Sequence, residues 1–301
     1  MDFLKRYPIP IAGLILGLFA LGNLVQSYSN EARLALGVIA FVLYVPYVLK
    51  VLILNKKLSE PLSNPVAASV FPTITMATML LAGYVKPYCS DCAGIIWYIG
   101  VICHVLLIIW FTMNFAVKGF AVKKVFPSWF IVYVGIAVAS VSAPVTGRLE
   151  IGRYAFWFGL VTYILLLLIV CYRVWIVGEI PAPAMPTTVI FAAPASLLLA
   201  GYMVSFPEKN AYIVHALLVF SIFFWAAGII YFLLTFRGAF MPSHSAFTFP
   251  LVISAIAVKM SAAFTGFSWQ GTLCDVQTVI AAVIVLWVLV RYVIFIFSSA
   301  K

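Results

Sequence analysis

Apolar blocks of 20 to 27 residues follow one another along the chain, separated by short breaks that carry charge, proline or glycine. A bilayer-spanning helix uses about 20 predominantly apolar residues, so each block predicts one span. The spans fall at about 7 to 26, 32 to 54, 65 to 85, 93 to 117, 127 to 147, 152 to 177, 183 to 206, 210 to 236, 243 to 266 and 274 to 298. Short connections pair consecutive helices as antiparallel hairpins, at about 7–54, 65–117, 127–177, 183–236 and 243–298. No soluble domain interrupts them, so residues 1–301 are expected to form one transmembrane domain. Lys5 and Arg6 precede the first block as they would in a signal peptide. Pro8 and Pro10 fit such a segment poorly, and it reads as an uncleaved first span.

The blocks repeat in pairs. A proline opens every odd-numbered span (Pro8 or Pro10, Pro65, Pro127, Pro186 and Pro242), at intervals of about 55 to 62 residues. Seven to nine residues further on stands a second helix-weakening residue: Gly17, Pro72, Gly135, Pro194 and Pro250. Two repeats share the tail LLAGY, at Leu80 to Tyr84 and Leu198 to Tyr202. Odd spans are rich in small and hydroxylated residues, as in FPTITMATMLLAG, whereas even spans are bulky, as in YILLLLIVCYRVW. Small residues let backbones approach and so favour protein-facing positions. The pattern predicts an inner ring of odd helices and an outer ring of even ones. Five kinks at matching depth favour a shared central pore, the other reading being packing kinks in a solid bundle.

Composition confirms the solvent: 65% of residues are hydrophobic and 9% charged, against about 45–50% and about 25% in soluble domains. A net charge of +10 without a soluble fold to display it excludes nucleic-acid binding and reports topology instead. With both termini on one face, that face collects twelve basic and three acidic residues and the other six and five. Both termini are therefore expected in the cytoplasm. Cys89 and Cys92 are loop-borne, as two thiols or a local disulfide, with no second pair or histidine nearby for a metal. The chain has no HExxH, GxSxG or clustered carboxylates, which argues against an enzyme, and no metal or cofactor is expected.

PIPIAGLILGLFALGN at 8 to 23, NPVAASVFPTITMATMLLAGY at 64 to 84, PSWFIVYVGIAVAS at 127 to 140 and SAFTFPLVISAIA at 245 to 257 carry a family resemblance across essentially the whole chain. The chain resembles the bacterial tellurite-resistance proteins and the plant slow anion channels, grouped with yeast malate permeases as tellurite-resistance/dicarboxylate transporters. The resemblance implies an all-α integral membrane fold of ten helices in five hairpins, with quasi-fivefold symmetry around a central pore. It also implies a homotrimer in the plasma (prokaryotic cytoplasmic) membrane and a pore occluded by an aromatic ring on the ninth helix. The matching string is Phe247, Thr248, Phe249 and Pro250, which places the gate at Phe249. Candidates for constriction or kink are then Gly17, Phe71, Pro72, Gly135, Pro194 and Pro250; those for the lining or vestibule are Ser245, Thr248, Ile253, Ile256 and Lys259. Lys259 departs from the neutral or acidic residue usual in the family and lies about 15 Å beyond Phe249 along the helix. It reads either as a vestibule charge or as a lysine snorkelling to the interface.

The resemblance implies passive conduction of small monovalent anions, with the bilayer and a second and third copy of the chain as the other partners. A phenyl ring in a narrow, hydroxyl-lined pore excludes a hydrated ion. No Arg or Lys falls at mid-depth of a span, so selectivity should be weak and weakly hydrated anions should pass best. The alternative is a secondary transporter, uniporter or proton-coupled, of C4-dicarboxylates such as malate, or of sulfite or tellurite. Coupling usually needs buried Asp, Glu or His along the path; His104 and His215 fall on outer helices, and Asp275 is expected to begin the tenth.

Overall fold

The computed structural model describes residues 2–298, and every regular element among them is helical. In chain order the apolar helices are α1 (Ile11–Val25), α2 (Asn30–Ile53), α3 (Pro65–Val85), α4 (Ser90–Val117), α5 (residues 129–145), α6 (Leu149–Val177), α7 (Ala182–Ser205), α8 (Ala211–Thr235), α9 (Pro242–Thr265) and α10 (Trp269–Ser298). Eight of them are long and apolar enough to cross a membrane; α1 and α5 are shorter. Lys301, counted above with the cytoplasmic charges, lies outside the described residues.

Side-chain caps set several helix starts. Ser29 Oγ accepts from Ala32 N–H at 3.0 Å, Asn64 Oδ1 from Val66 N–H at 2.9 Å and Asn210 Oδ1 from Tyr212 N–H at 2.9 Å, each satisfying a donor the helix leaves free. The tenth helix starts earlier than its hydropathy suggests, at Trp269. Asp275 therefore sits in its second turn and not at its start. Cys89 and Cys92 are joined by a disulfide at the beginning of α4.

Burial separates the helices as their composition predicts. In the apolar windows of α3, α7 and α9, 83%, 83% and 67% of residues are buried, against 17% to 33% in α2, α4, α6, α8 and α10. Each odd helix packs on the next (α1 on α3, α3 on α5, α5 on α7, α7 on α9), and α9 closes back on α1. Each even helix lies against its own odd partner and the following one; α10, for example, covers both α9 and α1. Long aliphatic and aromatic chains such as Leu52, Ile109, Leu168, Phe223 and Val279 are left facing outward on the even helices, as lipid contact requires.

Four of the five inner helices break where the repeat places its second weak residue. In α3 the α-helix Pro65–Val70 ends and restarts at Thr73 across Pro72, which has no N–H to give. Gly135 opens a 3-10 turn inside α5, Pro194 sits where a 3-10 stretch of α7 becomes α-helix, and Pro250 lies in the first α-helical turn of α9, after the 3-10 turn Pro242–Phe247. Hydroxyls take the carbonyls exposed near these breaks: Thr73 Oγ1 donates to Val70 O (2.5 Å), Thr187 Oγ1 to Ala184 O (2.6 Å) and Ser196 Oγ to Ala192 O (2.7 Å). Without water, that internal satisfaction is what lets a broken helix persist. Gly17 differs from expectation. The α-helix of α1 runs through it unbroken, and its role is steric.

Candidate functional site

All five odd helices run in the same direction, so their N-terminal halves meet at one end of the ring and their C-terminal halves at the other. The N-terminal halves enclose a cavity of about 620 Å³ lined by residues of every odd helix, among them Pro10, Pro65, Phe130, Pro194 and Pro250. The C-terminal halves contribute to a second one of about 330 Å³, lined by Ala20, Asn23, Leu80, Val138, Ile253 and Lys259 among others. Phe249 and Leu197 border both compartments. They form the partition between them.

Phe249 is placed there by the break in α9. Thr248 leaves helical geometry at φ −83°, ψ −80°, and its Oγ1 lies within hydrogen-bonding distance of Ser245 O (2.7 Å) and, across the ring, Gly13 O (2.8 Å). The α-helix then begins at Phe249, with Pro250 in its first turn. The Phe249 ring stacks on no other aromatic ring among the described residues. Two positions earlier, Phe247 is fully buried, edge-on to Phe232 at 5.1 Å and stacked on His244 at 5.2 Å. Phe249 is buried as well, but unlike Phe247 it is among the lining residues of both compartments.

The remaining candidates divide. Gly135, Pro194, Ser245 and Pro250 line the larger compartment, and Ile253, Ile256 and Lys259 the smaller. Gly17, Pro72 and Thr248 line neither; Gly17 packs against Thr248 and the backbone of Phe249, and Pro72 marks the break in α3. Phe71 corrects the expectation of a second constriction: it faces a separate recess with Val51, Trp110 and Phe115, its ring 6.4 Å from that of Tyr47. The wall of the larger compartment is mostly apolar, with hydroxyls at Thr73, Thr187, Ser243 and Ser245, whereas Ser140, Ser196, Thr248 and Ser254 lie outside its lining, buried and bonded to backbone carbonyls. Leu197 was not singled out by the sequence; nothing distinguishes it there from its neighbours Leu198 and Leu199, which are buried away from the axis.

Electrostatics differ between the two ends. Helix N-termini carry partial positive charge and C-termini partial negative charge, so the ring presents its positive ends to the larger compartment and its negative ends to the smaller. At the negative end, basic side chains reach the last carbonyls: Arg33 Nη2 donates to Gly83 O of α3 (3.0 Å), Lys259 Nζ to Leu24 O of α1 (3.1 Å), and Lys86 Nζ to Pro144 O of α5. Lys259 thus reaches the rim while also lining the smaller compartment. No Asp, Glu or His is among the described residues that line either one, and no cluster of metal-ligating side chains occurs among the described residues.

A closed ring of broken inner helices, an outer layer of lipid-facing ones and an axial partition define a multi-pass integral membrane protein of the channel and transporter class. The sequence matches the family model for SLAC1, voltage-dependent anion channel, over residues 6–293. The chain belongs to that family, one of membrane channels and transporters and not of enzymes. It is also similar to a protein of Methanocaldococcus jannaschii named as an uncharacterized transporter, 24% identical over 237 residues that cover 70% of this chain and 68% of the relative.

Proposed function

We propose that the protein is a passive anion channel in which Phe249 closes a pore through each protomer, admitting small monovalent anions when the ring swings aside. The observation that carries this reading is that Phe249 borders both axial compartments. An apolar ring at a constriction blocks ions sterically and by dewetting. In the same reading the architecture is ten spans in five hairpins with quasi-fivefold symmetry, assembled as a homotrimer in a prokaryotic cytoplasmic membrane. The Cys89–Cys92 disulfide supports the orientation from charge, because it lies on the face opposite the termini and disulfides persist in oxidising compartments.

The apolar wall disfavours tight anion binding, which suits conduction more than coupled transport. The absence of Asp, Glu and His from both linings among the described residues disfavours proton coupling to a dicarboxylate. Planar-bilayer recording of the wild type and Phe249→Ala tests the reading. The variant is expected to carry anion current at least tenfold above the wild type without a pH gradient; a folded variant that stays silent overturns the gate, and current that demands a proton gradient overturns the channel.

A further inference from the structure

We infer that the smaller compartment is an anion site, built from the ammonium of Lys259 and the side-chain amide of Asn23, through which anions load from the extracytoplasmic face. The inference rests on the channel reading for its role in conduction, but its geometry stands alone. Both residues are half-buried and line the same cavity, with Phe249 and Leu197 as its floor.

The donors are fixed by their other bonds. Lys259 Nζ spends two of its three N–H groups on Leu24 O and Ser27 Oγ, and its position 5.3 Å over the Tyr28 ring holds it from one side. One N–H remains. Arg33 Nε donates to Asn23 Oδ1 at 3.3 Å, which occupies the acceptor end of that amide and leaves its NH2 group as the end available to a ligand. A ligand in this cavity therefore meets donors and no charged acceptor. The nearby carboxylate, Asp275, accepts a hydrogen bond from the Tyr28 hydroxyl and lies outside the lining. Lys259 makes no ion pair among the described residues, so its charge is not neutralised within the protein.

The site also answers an electrostatic problem of the fold. Parallel inner helices would turn the negative ends of their dipoles toward this mouth and repel anions. Lys259 offsets that field at α1, as Arg33 and Lys86 do at α3 and α5. One full positive charge beside an amide matches a monovalent anion whose remaining hydration is retained in a space of about 330 Å³.

Bromide is the probe. Crystals of the full-length protein grown in sodium bromide are expected to show an anomalous peak within hydrogen-bond distance of Lys259 Nζ and Asn23 Nδ2, abolished in Lys259→Gln and retained in Lys259→Arg. A wild type without the peak, or a Lys259→Gln variant that keeps it, overturns the inference. In bilayers, on a Phe249→Ala background, Lys259→Gln is expected to raise the half-saturating nitrate concentration about tenfold from the extracytoplasmic side, the scale of one charged hydrogen bond, and to leave the cytoplasmic side unchanged. Asn23→Ala, which keeps the Lys259 cap on α1, should shift the same side in the same direction. Symmetric or absent effects count against the site. A silent Phe249→Ala protein that still binds bromide removes the gate and leaves this site standing.

Discussion

A Cβ placed on Gly17 would lie 2.6 Å from both Cβ and Oγ1 of Thr248. Contacts that short do not persist, so α1 and α9 close the inner ring only because position 17 has no side chain. Gly17→Ala should force Thr248 away from its bond to Gly13 O and lower stability by about 1–3 kcal/mol, the usual cost of overpacking. Thermal unfolding in detergent measures it; an unchanged midpoint would mean that the two helices separate freely.

Phe247 and Phe249 should respond oppositely to truncation. Phe247→Ala removes a fully buried ring packed on Phe232 and His244 and is expected to cost about 3–5 kcal/mol. Phe249→Ala should cost less, because the residue borders two cavities, and should raise current many-fold. Leu197→Ala should raise current by a smaller factor, and Phe71→Ala should leave it unchanged. The comparison is read by unfolding and by single-channel recording of all four variants.

His104 is a structural residue in this arrangement. It is fully buried; its Nε2 lies 3.1 Å from Val132 O and its Nδ1 2.6 Å from the Thr75 hydroxyl, which joins α4 to α3 and α5. His104→Ala should lower stability by about 1–3 kcal/mol by leaving those groups unpaired, while the pH dependence of current stays that of the wild type. A shift of the current's pH profile in the variant would make His104 a relay.

Tyr28 sets an alkaline limit beside Lys259 at the rim of the smaller compartment. Its hydroxyl donates to Asp275, and this bond, with smaller contributions from burial and the neighbouring charge, pushes its pKa from 10.0 up to about 12. The raised value means that the bond stabilises the fold fully below pH 10 and that this contribution is lost as pH rises through about 12. Wild type and Tyr28→Phe should therefore differ in unfolding midpoint at pH 8 and converge by about pH 12. A gap that persists at the higher pH contradicts the assignment.

An apolar wall makes dehydration the main cost of passage. Reversal potentials of Phe249→Ala should rank iodide and nitrate above chloride, since the larger compartment offers little beyond helix N-termini to replace lost water. A strong chloride preference would mean that the few polar groups of the lining, such as Asn64 and Ser243, bind the ion and that dehydration does not set the order.

The legible part of this molecule is what the bilayer enforces. Span length, the composition split between inner and outer helices and the 60-residue period are one-dimensional consequences of an apolar solvent, and the helices begin and end within a few residues of where hydropathy puts them, α10 excepted. The family motif singled out Phe249 within Phe247, Thr248, Phe249 and Pro250. What the chain did not reveal is direction. Serine and threonine content suggested a hydroxylated wall, yet several of those groups turn back to carbonyls exposed near the helix breaks, because in lipid an unpaired carbonyl costs more than an apolar lining. Leu197, Phe71 and Lys259 show the same limit: whether a side chain meets the axis, a lateral recess or the end of a neighbouring helix depends on the rotation of each helix about its own axis. Packing across the ring fixes that rotation, and only the tertiary structure contains it.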